Sequence, residues 1–83
     1  MNLFVNQPIL SAMKHFIKIK DSRWYPGSQK KMIYTAENGN EYIGPRLNMI
    51  TGHTYCIEAS DGEISGSYEI IAFIGEVGGA KKN

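Results

Sequence analysis

KMIYTAENGNEYIG, residues 31–44, places Asn38-Gly39 between two short runs rich in Ile, Tyr and Thr. An Asn-Gly pair between β-type runs is the strongest short-range hairpin signal in a sequence, because both residues tolerate the backbone angles of a tight reversal. KMIYTA and EYIG are therefore expected to form adjacent strands, and the rest of the chain is read outward from this hairpin.

Upstream, KHFIKIKD alternates Ile17 and Ile19 with Phe16, Lys18 and Lys20, the period-two signature of a strand with one face on a core. Its outward face reads Lys14, Phe16, Lys18, Lys20. Downstream, HTYCIEA alternates Tyr55, Ile57 and Ala59 against Thr54, Cys56 and Glu58, and reads as another strand. SDGEISG carries the Asp-Gly of a tight turn, and SYEIIAFIGEV follows as a longer strand, apolar on both faces at Ile70–Ile74 and so central or wrapped. GPRLNMITG is a connection bounded by glycines, with room for one helical turn at Arg46–Ile50. The first twelve residues read as an arm, an added strand or a short helix begun by Pro8, and GGAKKN as a flexible basic tail.

Four or five short strands and at most one or two short helices in 83 residues make a mostly β single domain, residues 1–83, with its barrel over 14–77. Closing the sheet on itself covers both the core and the strand edges, so a five-stranded OB-like or SH3-like barrel is expected. A chain of this length has little core to spare for a deep substrate cavity.

The formal charge of +1 hides an asymmetry. Residues 1–46 hold seven cations against three acids, and residues 47–83 two cations against five acids. Kept on different surfaces, the basic half would attract polyanions and the acidic half repel them. A lone Cys56 cannot pair within the chain, which suits a reducing compartment, and the N-terminus lacks the basic start and unbroken apolar run of a signal peptide or membrane span. A cytoplasmic protein without a membrane partner is expected.

No constellation points to catalysis. Cys56 and His53 are three apart, which on one strand aims them at opposite faces. His15 and His53 have no carboxylate at a metal-ligand spacing, and Glu58, Asp61 and Glu63 flank a turn. GEVGG lacks the Gly-Lys-Ser/Thr ending of a phosphate loop. No catalytic residue, metal or cofactor is expected.

What remains is aromatic residues among cations: Phe16 between Lys14 and Lys18, Trp24 and Tyr25 between Arg23 and Lys30, and Tyr34 three residues after Lys31. Single-stranded nucleic acid is held by this combination, cations following the phosphates while rings stack on bases at about 1–3 kcal/mol each. Trp24 has a second reading, a plug over one barrel end, since a barrel this small needs most of its aromatics in the core and Tyr55, Tyr68 and Phe73 look committed there. Lys18 and Lys20 have a second reading too, as edge charges that block strand-to-strand aggregation.

In length, in the basic-aromatic strand KHFIKIK, in the loop SRWYPGSQKK leading into KMIYTA, and in HTYCIEA starting after a Gly, residues 14 to 77 resemble the small OB-fold single-stranded DNA-binding proteins encoded by phages and plasmids. The low net charge departs from that family's basic character. The resemblance implies single-strand binding on the barrel face by Phe16, Lys18, Lys20, Arg23, Trp24, Tyr25, Lys31 and Tyr34, often with self-association as a homodimer. Two further readings stay open: a phage-type interaction module or inhibitor docking on a host protein through Arg23-Trp24-Tyr25 or its acidic face, and a homo-oligomeric subunit using YEIIAFIGEV as its interface.

Overall fold

A computed structural model of the chain describes residues 12–62 and 66–79. Five strands form one sheet that closes into a ring: β1 (Met13–Trp24), β2 (Lys31–Ala36), β3 (Glu41–Pro45), β4 (Thr54–Asp61) and β5 (Ser67–Gly78). Around the ring the order is β1-β2-β3-β5-β4, with β4 back on β1. All neighbours are antiparallel except β3 and β5, which run parallel over Glu41–Ile43 and Ser67–Glu69. This is the small, mostly β closed barrel expected from the sequence. The expectations for residues 1–11 and for the tail beyond Gly79 lie outside the described residues.

The hairpin forms where expected, with Lys31↔Pro45 to Thr35↔Glu41 in register. Its reversal is a four-residue loop. The Gly39 amide donates to the Ala36 carbonyl and the Ala36 amide to the Asn40 carbonyl, both at 2.9 Å. Only Gly39 takes a positive φ, +97°, while the Asn38 side-chain oxygen accepts from the Asn40 amide.

β1 serves two partners. Its first half pairs with β4 from Met13↔Ala59 to Lys18↔Thr54, and its second half pairs with β2 from Ile19↔Ala36 to Trp24↔Met32. Lys20 is the extra residue of a bulge at the hand-over, and a bulge bends and twists the strand that carries it. The ladder gaps there are filled from loops: Gly52 donates to the Ile19 carbonyl at 2.8 Å, Ile19 donates to His53 at 3.0 Å, and Glu37 donates to Lys18 at 2.9 Å.

The interior is Ile17, Ile19, Tyr34, Ala36, Tyr42, Met49, Tyr55, Ile57, Ala59 and Ile70. β3 and β5 approach so closely that a Cβ on Gly44 would stand 2.8 Å from the Ile70 Cβ. The room left for a helical turn at Arg46–Ile50 is taken by irregular chain, since the described residues contain no helix. Buried Met49 and half-buried Leu47 pack that connection on the core. Two tyrosines fasten it: the Tyr34 hydroxyl donates to the Pro45 carbonyl and accepts from the Leu47 amide, both at 2.6 Å, and the Tyr55 hydroxyl accepts from the Ile50 amide at 2.8 Å. Elsewhere in the barrel, Tyr42 stacks on Tyr68 at 5.1 Å and its hydroxyl lies 3.1 Å from His15 Nδ1.

β5 departs most from a regular strand. Against β4 it carries three one-residue bulges, at Ile71, Ile74 and Val77, so its pattern repeats every third residue. Phe73, expected in the core, is partly exposed, although its ring still lies 5.8 Å from that of Tyr55. Among the described residues no helix is long and apolar enough to cross a membrane.

Candidate nucleic-acid interface

The bulge at Lys20 reverses the phase of β1. Before it, odd-numbered residues such as Ile17 and Ile19 face the core; after it, Asp21 and Arg23 lie on the outer surface beside Thr35 and Ile33 of β2. Trp24 ends the strand, paired with Met32, which packs on the margin of the core.

The loop beyond Trp24 is tightly bonded. Ser28 donates its amide to the Tyr25 carbonyl at 2.9 Å, Pro26 supplies the preset φ of a type II turn, and Gly27 takes the positive φ, +79°, that this turn requires. Tyr25 donates to the Lys31 carbonyl at 2.9 Å and closes the loop. Within it, the Ser28 hydroxyl oxygen accepts from the Lys30 and Lys31 amides at 3.0 and 2.9 Å. The result is a fixed hairpin tip rather than a slack loop.

On this tip Trp24 is 48% exposed and stands outside the core cluster, so the plug reading is set aside. Residues Trp24–Gln29 line an open recess of about 510 Å³. Half-buried Tyr25 carries the Lys31 ammonium 6.0 Å from its ring centroid, at the edge of cation–π reach. Lys20, Lys30 and Lys31 are exposed and have no ion-pair partner among the described residues.

Not every residue expected at the site is near this tip. Tyr34 is a correction: it is 1% exposed, its ring lies in the core and its hydroxyl is spent on the connection after β3, so it offers no face for stacking. Burial raises its pKa, opposed by the Leu47 hydrogen bond and by nearby Arg46. Tyr42 is raised for the same leading reason. Arg23 is on the surface but engaged: its guanidinium donates to Glu41 at 2.9 Å, to the Thr35 hydroxyl at 3.0 Å and to Asp21 at 3.3 Å. The Glu41 bond foremost, together with the charges of Glu41 and Asp21 and the Asp21 bond, raises its pKa against the opposing effect of burial.

Phe16 and Lys18 are exposed but belong to the half of β1 that pairs with β4, opposite Cys56 and Thr54. Eight residues of strand separate Phe16 from Trp24, on the order of 25 Å. The expected set thus divides into a hairpin tip (Trp24, Tyr25, Lys31) and a distant β1 row (Phe16, Lys18), with Lys20 at the bend between. Two contributors are absent from the sequence reading: Ser28, which clamps the lysine-bearing end of the loop, and Glu41, which engages Arg23. The Glu41 contact depends on register across strands, which no local pattern announces, whereas Ser28 bonds amides two and three residues ahead in its own loop.

His53 Nδ1 lies 2.9 Å from Glu76, and Cys56 is buried. Among the described residues no three His, Cys, Asp or Glu side chains gather as a metal site. Comparison of the chain with protein-family models, with curated proteins and with solved structures yields no match.

Proposed function

We propose that this protein is a non-enzymatic, cytoplasmic binder of single-stranded nucleic acid that stacks bases on Trp24 and Tyr25 at the tip of the β1–β2 hairpin. Lys20, Lys30 and Lys31 take the phosphates. The observation that carries this reading is the half-exposed Trp24 on a tip held by hydrogen bonds from Tyr25 to Lys31. A ring already fixed at the surface needs little further ordering when a base stacks on it. The barrel is OB-like, an architecture whose loops commonly bind oligonucleotides.

The outer surface of β1, β2 and β3 contributes little charge, because Asp21 and Glu41 offset Arg23 there. Binding is therefore centred on the hairpin tip. Anisotropy of a labelled mixed-sequence single-stranded oligonucleotide, read between about 50 and 200 mM salt, tests the proposal. Saturable binding that weakens with salt supports it, and no binding at the lower salt rejects it.

A further inference from the structure

The three bulges of β5 give it a second surface. Ile71, Ile74 and Val77 are the extra residues of successive bulges, and each is about half exposed. Between them stand Ala72 and Gly75, opposite Glu58 and Cys56 of β4, with Gly78 opposite Thr54, while Phe73 and Glu76 pair with Ile57 and Tyr55 and lie against Tyr55 and His53. Small residues leave the branched side chains standing clear as a row at every third position. Register carries the row sideways: Gly75 pairs with Cys56, which pairs with Phe16 of β1, the most exposed aromatic among the described residues. Ile71, Ile74, Val77 and Phe16 together present on the order of 500 Å² of apolar surface, in the range of the largest patches on monomeric proteins, which are often functional.

We infer that this face is covered by a second copy of the same chain, packed about a twofold axis near Ile74 with the two β5 strands antiparallel. Three observations select this occupant. Residues 70–79 carry a single charge, Glu76, already engaged by His53, so the β5 row itself sets no charge against a second copy, and the cations Lys14 and Lys18 flank Phe16 at its margin. About Ile74 the row is self-complementary: Ile74 meets Ile74 of the second copy, Ile71 meets Val77, and Glu76 falls opposite Ala72 rather than another acid. A closed twofold contact of this kind is the commonest form of self-association. Two such faces remove on the order of 1,000 Å² from water, the size at which a specific interface becomes credible.

The edge of β5 is a different feature. Beyond Glu69 no described strand pairs with that edge, but three bulges twist it away from the flat ladder that strand addition needs. The apolar row, not the hydrogen-bonding edge, is the contact.

Sedimentation equilibrium of the full chain tests this. The wild type should run at twice its 9.3 kDa mass without any nucleic acid. Ile74→Glu should run at 9.3 kDa while keeping its β-sheet circular dichroism and its oligonucleotide binding. Should Ile74→Glu fail to fold, Ile74→Cys serves instead: it should form an intermolecular disulfide under mild oxidant, while Thr35→Cys on the far side of the barrel should not. A wild-type chain that stays monomeric at its highest attainable concentration overturns the inference. So do a dimer that survives Ile74→Glu, equal cross-linking at both positions, and a doubling seen only with oligonucleotide. The mass of the free wild type, the mass of Ile74→Glu and the cross-linking read out whether or not Trp24 binds nucleic acid.

Discussion

The Arg23 guanidinium lies 2.9 Å from the Glu41 carboxylate, across the outer surface of β1, β2 and β3. With Asp21 at 3.3 Å, the one arginine beside the aromatic tip is shared between two acids. This decides how much charge the face can offer to a phosphate backbone.

Glu41→Gln should therefore strengthen oligonucleotide binding severalfold and steepen its salt dependence by about one counterion, because it leaves Arg23 available to a phosphate. Arg23→Gln should change affinity little. An exposed ion pair is worth about 0–1 kcal/mol, so neither variant should unfold the protein. Paired titrations at two salt concentrations read both outcomes.

Trp24→Ala should lower oligonucleotide affinity by about 1–3 kcal/mol, the contribution of one stacked base. It should leave the denaturation midpoint nearly unchanged, because Trp24 stands outside the core cluster. Loss of stability in parallel with affinity would return Trp24 to a structural role. Calorimetry beside the binding titration separates the two.

Tyr34→Phe should behave in the opposite way. It removes the hydroxyl that bridges the Pro45 carbonyl and the Leu47 amide, and leaving those groups unpaired costs about 1–3 kcal/mol of stability without touching the hairpin tip. Urea unfolding should shift, and binding by the folded protein should not.

Burial raises the Tyr34 and Tyr42 phenols above their value of 10.0. In the folded state each holds its proton more tightly than in the unfolded chain, so their stabilisation is full below the unfolded value, near pH 10, and is lost as pH climbs through the folded values. Urea midpoints should hold up to about pH 9.5 and fall above pH 10. The fall should be shallower in Tyr34→Phe and in Tyr42→Phe.

Gly44→Ala should cost about 1–3 kcal/mol, because the added methyl meets Ile70 where β3 and β5 run side by side. Thermal unfolding of this variant reports on the parallel contact that closes the barrel.

The β2–β3 hairpin is legible in the sequence from Asn38-Gly39 between two β-type runs, and β4 from the alternation of Tyr55, Ile57 and Ala59. β1 is not, past Asp21: the bulge at Lys20 reverses the inward parity, so Ser22, Arg23 and Trp24 read as loop although they are strand. The run of β5 reads as apolar on both faces because its repeat is three, set by bulges that depend on β4. Tyr34 is ambiguous for a related reason. β2 has apolar residues on both parities, Met32, Tyr34 and Ala36 against Ile33, and only the connection after β3 fixes which side the ring takes. For Trp24 composition gives two readings, and its half-exposed ring, outside the core cluster, favours the exposed one.

The most direct test of the account is the fluorescence of Trp24, the sole tryptophan, during titration with a mixed-sequence single-stranded oligonucleotide at low and at higher salt. Strong quenching that saturates at low salt and weakens as salt rises is the predicted result. An unchanged signal, with no complex in a parallel gel shift, would contradict it.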